Sequence, residues 1–125
     1  MLVHITGLKN GAGQVRVQAY GPGPSNYLKK GGWAARVDAA VAGRRTLDVC
    51  LPLPTAGIYS IAVRHDANAN KKSDWNDGAG FSRNPPLSLL GRPSFGETAV
   101  AVGRGTVRIG LLMNYRQGMS VGPIG

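Results

Sequence analysis

The residues whose types and spacing could do chemistry are concentrated in one short segment. Its oxygen-bearing side chains include Asp66, Asn68, Asn70, Asp74 and Asp77. Calcium takes about six to eight oxygen ligands, and a calcium loop of about twelve residues supplies them from positions one, three, five, seven, nine and twelve. With Asp66 as position one, every side-chain position holds an oxygen donor, and position seven is the carbonyl of Lys72. The segment therefore predicts a calcium site.

Two residues of this loop depart from the usual calcium pattern. Position six, normally Gly at the sharp bend, is Lys71, and position twelve is Asp77 rather than a bidentate Glu. The same residue types also form Asn/Asp-rich turns that are satisfied by their own backbone. A transition metal would favour imidazole or thiolate ligands, and only His65 is nearby. Calcium is the interpretation adopted, with the bare turn as its main alternative.

The elements that must position this loop are strands, because the apolar residues recur with a period of two. Tyr59, Ile61 and Val63 share one face of the strand that leads into the loop. The Asn10-Gly11 pair predicts a two-residue hairpin turn. Strands are predicted over residues 2–6, 15–20, 33–39, 44–51, 58–65, 97–102 and 106–113. This pattern, with frequent Gly and Pro between strands and no helical period, predicts an all-β fold, a seven-stranded antiparallel sandwich.

The chain of 125 residues is long enough for a single core. We expect one sandwich domain over residues 1–113, a long loop over 66–96, and a C-terminal tail over 114–125. Tails of this kind are usually disordered unless something holds them. Met119, Val121 and Ile124 give this tail apolar side chains among glycines, so we expect it to pack on a neighbouring subunit. No apolar run is long enough to predict a membrane span.

The net charge of +9 comes from basic residues that are scattered along the chain. Nucleic-acid binders concentrate such residues on one face, so no specific nucleic-acid partner is predicted. The distribution suits a solvated basic surface, with attraction to glycan or another anionic surface polymer as the alternative. The chain contains none of the common hydrolase, zinc-protease or P-loop motifs, so we expect a protein that is not an enzyme.

Several segments together resemble a bacterial family of uncharacterised exported domains. They are Thr6-Gly7-Leu8, the run Leu53-Pro54-x-x-Gly57-x-Tyr59, the loop beginning His65-Asp66-x-Asn68-x-Asn70, Gly80-Phe81-Ser82 and Pro93-x-Phe95. The resemblance covers nearly the whole chain. It implies a transthyretin- or prealbumin-like Greek-key sandwich, export to the periplasm or the cell exterior after removal of a signal peptide, and no established activity.

Two functions follow as hypotheses. The first is a calcium-binding structural subunit that self-associates in an extracellular filament, tube or surface layer. The second is a monomeric periplasmic or surface module that binds glycan or another anionic ligand. Trp75 in the calcium loop is the candidate for an exposed aromatic contact. Phe81 and Phe95 are expected to anchor the long loop on the sandwich, or to join Trp75 as a ligand platform.

Overall fold

The computed structural model describes residues 1–67, 78–89 and 91–124, and the regular secondary structure of this part of the chain is almost entirely β-strand. The elements are β1 Leu2–Thr6, β2 Gln14–Tyr20, β3 Ala35–Ala40, β4 Leu47–Cys50, β5 Gly57–Asp66, β6 Gly78–Phe81, the helix α1 Phe95–Thr98, β7 Ala99–Val102, β8 Arg108–Leu112, β9 Tyr115–Gln117 and β10 Ser120–Gly122. The all-β prediction is confirmed. No helix in the described part is long and apolar enough to cross a membrane.

The strands form two main sheets and one hairpin. The larger sheet has the order β3-β2-β5, and the far side of β5 is shared by β6 along its second half and β7 along its first half. The smaller sheet has the order β4-β1-β8, and β9 pairs with β10. The pairings between these strands are antiparallel except that of β1 with β8, which is parallel.

One apolar core is shared by the two main sheets. The larger sheet contributes Val15 and Val17 from β2 and the predicted face of β5, and the smaller sheet contributes Val3 and Ile5 from β1. β1 and most of β2 alternate buried with more exposed residues, as expected of sheets that bury one face. The predicted inward face of β5, with Tyr59, Ile61 and Val63, is therefore confirmed.

Three expectations about connectivity are corrected. The described residues hold ten strands rather than seven, and β1 pairs with β4 and β8 rather than with β2. Asn10-Gly11 therefore does not close a hairpin. The Asn10 Oδ1 atom accepts a hydrogen bond from the Ala12 N–H at 3.0 Å. The N–H of Gly43 donates to the Gly11 carbonyl at 2.8 Å, so this turn packs on the turn after β3.

The segment predicted as one long loop contains β6 and the start of α1, whose second half replaces the beginning of the strand predicted over 97–102. Its strand was missed because the sequence Gly-Ala-Gly-Phe lacks an apolar alternation. The two glycines allow close approach: a Cβ atom at Gly78 would lie 2.4 Å from the Tyr115 ring, and one at Gly80 would lie 2.4 Å from Leu111. The helix begins with a capping box in which Ser94 and Glu97 bond each other's backbone N–H.

The segment predicted as a tail forms the β9–β10 hairpin. Gln117 and Ser120 are paired across a two-residue turn whose first residue, Gly118, has a φ of 65°. Glycine at that position suits a type II′ turn, because other residues avoid positive φ there. Beyond the hairpin, Ile124 packs against the core of its own chain. Packing of the tail on a neighbouring subunit stays a prediction.

Candidate ligand-binding cleft

An open cleft of about 390 Å³ lies where the segment after β6 meets the C-terminal hairpin. Most of its lining side chains are apolar, and two are arginines. The lining residues are Leu28, Ala79, Phe81, Leu87, Ser88, Leu89, Gly91, Arg92, Pro93, Asn114, Arg116 and Val121. The cleft therefore combines an apolar wall with positive charge, as binding sites for small organic ligands often do.

The floor of the cleft is formed by β6 and by Asn114, which precedes β9. Ala79 and Asn114 exchange two backbone hydrogen bonds, of 2.9 and 2.7 Å. The Asn114 side-chain amide also donates to the carbonyls of Ala79 and Leu112, both at 3.2 Å. Because side chains alternate along a strand, the same face of β6 that presents Ala79 also presents Phe81 to the cleft.

One wall of the cleft is formed by residues 87–89 and 91–93, and it is tied to the β2–β3 connection through Tyr27. The Tyr27 hydroxyl donates to the Pro93 carbonyl at 2.7 Å. Its ring packs edge-on against Phe95 at 5.7 Å and against Tyr20 at 6.0 Å between centroids. These contacts hold both this wall and the start of α1 on the larger sheet.

A buried cluster of hydroxyl groups fixes the point where β6 and β7 diverge from β5. The Ser82 hydroxyl accepts from the Ile61 N–H at 3.0 Å and donates to the Thr98 carbonyl at 2.5 Å. The Thr98 hydroxyl donates to that of Ser60 at 2.6 Å. All three hydroxyl residues are fully buried, so the cluster replaces hydrogen bonds that a continuous strand would supply.

The opposite wall is the β9–β10 hairpin. Arg116 and Val121 are partners across it and both line the cleft. The Arg116 Nε atom donates to the Gly118 carbonyl at 2.8 Å, and the Gln117 amide donates to the carbonyls of Gly122 and Pro123 at 3.2 and 2.9 Å. These bonds fix the hairpin's shape and hold the Arg116 guanidinium at the cleft.

The electrostatic character of the cleft comes from Arg92 and Arg116, since its described lining includes no acidic residue. Burial raises the pKa of Tyr27 above its usual value, and the positive charge of Arg92 opposes that rise. Arg92 has the same effect on Tyr20, whose pKa is also raised by burial. Arg92 thus stands close enough to the aromatic contacts behind the wall to act on them electrostatically.

A second polar cluster lies at the end of β5, where the predicted calcium loop begins. His65 is fully buried, with Nδ1 2.7 Å from the Tyr115 hydroxyl and Nε2 2.8 Å from the Ala12 carbonyl. The Lys9 N–H donates to the same hydroxyl at 3.0 Å. A hydroxyl has one proton, and a carbonyl only accepts, so Tyr115 donates to Nδ1 and Nε2–H donates to Ala12. Both ring nitrogens of His65 have a hydrogen-bond partner, so this side chain has a structural role.

The predicted calcium ligands are divided by the limits of the described structure. Asp66 is buried at the end of β5. The hydrogen bond that Arg16 donates to Asp38 is the main cause that raises the Arg16 pKa, and the charge of Asp66 adds a smaller effect in the same direction. The others lie outside the described residues, as does Trp75: Asn68, Asn70, Lys72, Asp74 and Asp77. Among the residues that the structure describes, no group of three or more His, Cys, Asp or Glu could hold a metal ion.

The predicted contact residues separate into different environments. Phe81 and Val121 line the cleft, while Phe95 packs on Tyr27 behind it. Met119 projects from the hairpin turn and is 84% exposed, whereas Ile124 joins the core. The two arginines and the wall formed by residues 87–89 and 91–93 were not predicted. The apolar run Leu87-Ser88-Leu89-Leu90 inside a loop was a usable signal for a binding surface.

Fold and site together define a small all-β domain with an open, arginine-flanked apolar cleft. Residues 3–110 match the family described as uncharacterised proteins conserved in bacteria, DUF2141. This covers most of the chain, so the protein belongs to that family. Searches of curated proteins and of solved structures found no match.

Proposed function

We propose that this protein is a binding module for a small amphipathic anion, a molecule with an apolar body and one carboxylate or phosphate group. The observation that carries the proposal is the pairing of an apolar cleft with Arg92 and Arg116 at its walls. Guanidinium groups recognise carboxylates and phosphates through charge and paired hydrogen bonds. The apolar side chains supply the hydrophobic contact.

The size of the cleft limits the ligand. A volume of about 390 Å³, at about 30 Å³ for each water-sized group, accepts about a dozen non-hydrogen atoms. A ten-carbon carboxylate such as decanoate has about that number. At about 0.3 kcal/mol per atom, such a ligand would bind with about 4 kcal/mol, which corresponds to a Kd of about 1 mM.

The lining favours an aliphatic ligand over a glycan. Sugar sites usually present a flat aromatic ring beside several hydrogen-bonding side chains, whereas this cleft offers Leu28, Leu87 and Leu89 with the single ring of Phe81. The proposal is for binding rather than turnover. It develops the second of the two hypotheses drawn from the sequence, that of a module for an anionic ligand.

Titration of the protein with decanoate, followed by calorimetry or by NMR shifts, tests the proposal. We expect saturable binding of one decanoate per chain and at least fivefold weaker binding of neutral decanol, because decanol cannot pair with a guanidinium. Equal affinity for decanoate and decanol, or no saturation by either, would contradict the proposal.

Two variants with matched controls locate the site. Arg92→Gln should weaken decanoate binding about fivefold to tenfold, while Arg104→Gln, which removes an equally exposed charge from the β7–β8 turn, should not. Val121→Asp places a negative charge in the cleft wall and should abolish binding. Ile58→Asp, at an exposed apolar residue outside the cleft lining, should leave it intact.

Calcium binding by the loop that begins at Asp66 stays part of the proposal as a structural role. The support is its spacing, which places an oxygen donor at every side-chain ligand position, although Lys71 and Asp77 depart from the usual residues at positions six and twelve. A periplasmic or extracellular location and self-association in an assembly also stay predictions. The cleft does not depend on any of them, because its residues all belong to one chain.

A further inference from the structure

The most exposed large apolar side chain in the described part of the chain belongs to the hairpin that forms one cleft wall. Met119, at the β9–β10 turn, is 84% exposed, compared with 43% for Ile58 and 37% for Leu89. Leu89 belongs to the opposite wall. Two of the three exposed large apolar residues therefore belong to the two elements that form the cleft walls.

The turn that carries Met119 is well ordered by its own hydrogen bonds. Arg116 bonds the Gly118 carbonyl, and the Ser120 hydroxyl donates to the Gln117 carbonyl at 3.0 Å. The exposed Met119 side chain at the tip of this turn adds nothing to the stability of the folded monomer, because apolar surface stabilises a fold only when it is buried. Such a residue suits an apolar phase outside the protein.

Positive charge accompanies these apolar tips. Arg92 and Arg116 line the cleft between them, and the whole chain carries a net charge of +9. Apolar side chains that protrude next to basic residues match the two layers of an anionic bilayer surface, whose headgroups attract arginine and whose acyl region accepts the apolar tips.

We infer that the rim of the cleft, formed by Met119 and Leu89 with Arg92 and Arg116 set behind them, is a docking surface for an anionic lipid bilayer. The inference rests on the proposed function in one respect: if the cleft binds an acyl-chain anion, its mouth would face the bilayer and exchange that anion with it. The surface itself stands on exposure and charge. An anionic polysaccharide would use the charge but leave Met119 without a partner.

Co-sedimentation with vesicles tests the inference, using vesicles of phosphatidylcholine alone and vesicles with phosphatidylglycerol added. We expect binding to the anionic vesicles and little to the neutral ones, with the bound fraction falling as salt is raised. Met119→Ser should lower the partition coefficient about tenfold, the ratio expected when one large apolar side chain is no longer buried. Arg92→Gln should lower it about fivefold.

Two controls match these variants. Ile58→Ser removes an exposed apolar side chain that lies outside the cleft lining, and Arg104→Gln removes a positive charge that also lies outside it. Each variant should change the partition coefficient less than twofold. Equal losses for Met119→Ser and Ile58→Ser would overturn the inference, because binding would then lack a defined face. Binding to a soluble anionic polysaccharide that equals vesicle binding and ignores Met119→Ser would also overturn it.

Decanoate titration separates this inference from the proposed function. Met119 does not line the cleft, so Met119→Ser should bind decanoate as the unaltered protein does. Decanoate binding without vesicle binding would overturn the membrane surface and leave the proposed function standing. Vesicle binding that depends on Met119, in a protein that does not bind decanoate, would overturn the proposed function and support the membrane surface.

Discussion

The substitution Tyr115→Phe isolates the contribution of the buried cluster at the end of β5. It removes one oxygen atom from a residue that is 2% exposed and keeps the ring that packs against His65. That oxygen donates to His65 Nδ1 at 2.7 Å and accepts from the Lys9 N–H at 3.0 Å. The substitution therefore leaves His65 Nδ1 and the Lys9 N–H without this hydrogen-bond partner.

The magnitude follows from how well each orphaned group can reach water. His65 is fully buried, so its Nδ1 bears a desolvation cost of about 1–3 kcal/mol. The ring cannot escape by changing tautomer, because Nε2–H is needed by the Ala12 carbonyl at 2.8 Å. Lys9 is exposed, and rehydration of its N–H limits the additional cost to about 0.5 kcal/mol. The expected loss is about 1–3.5 kcal/mol.

Urea denaturation at pH 7 measures this loss as a lower midpoint with an unchanged m value. The matched control is Tyr20→Phe, which also removes a hydroxyl from a buried tyrosine. That hydroxyl donates only to the Gln18 side chain, at 3.2 Å, and Gln18 is partly exposed. The control should therefore lose no more than about 1 kcal/mol. Equal losses in the two variants would refute the reasoning.

Alkaline pH gives the same variant a second readout. Burial raises the pKa of the Tyr115 phenol. The folded state therefore holds this proton more tightly than the unfolded state, and the resulting stability is full below about pH 10 and is lost as the pH rises through the folded pKa. Tyr115→Phe lacks this group, so its stability should decline less steeply above about pH 10. An unchanged slope would show that folding does not raise the Tyr115 pKa, which would contradict this prediction.

Three further predictions concern other parts of the structure. Ser82→Ala should cost about 2–3 kcal/mol by urea denaturation, because it leaves the Ile61 N–H and the Thr98 carbonyl unsatisfied in the buried cluster; a loss below about 1 kcal/mol would argue against that cluster. The hydrogen bond from Arg16 lowers the pKa of Asp38. The stability that this ion pair adds to the fold is therefore present above about pH 4 and is lost as the pH falls. Asp38→Asn should destabilise the fold at pH 7 and have no effect near pH 2. Calcium at about a hundredfold over its Kd should raise stability by about 2.7 kcal/mol, and Asp74→Asn but not Asp48→Asn should reduce the effect; a melting temperature unchanged by chelator would contradict the calcium prediction.

Strand identity was predictable where the buried face of a strand carries large apolar side chains. β1 was predicted with its observed limits, and β5 with its observed inward face, because a period of two records that burial directly. β6 was not predictable in that way. Its glycines are required by close contact with Tyr115 and Leu111, which are distant in sequence. A glycine has no side chain, so it adds no apolar residue to the hydrophobic pattern.

Sheet membership was the larger error, and its cause is long-range. Asn10-Gly11 is a strong local hairpin signal, yet its position is decided by packing on the turn at Gly43. The candidate cleft shows the same limit: Phe81 was singled out as an unusual aromatic in a loop, whereas Arg92 and Arg116 become a pair only when the hairpin folds back on β6.

The parallel pairing of β1 with β8 has a consequence for how the chain folds. β1 is the central strand of the smaller sheet. Its pairing with β8 places Leu2 opposite Arg108, two residues from opposite ends of the chain. Such distant contacts must be closed against a large loss of chain entropy, so folding should be slow for a domain of this size. During synthesis one edge of β1 stays unpaired until β8 has been made. A chain interrupted after β7 would expose that edge to pairing with other chains.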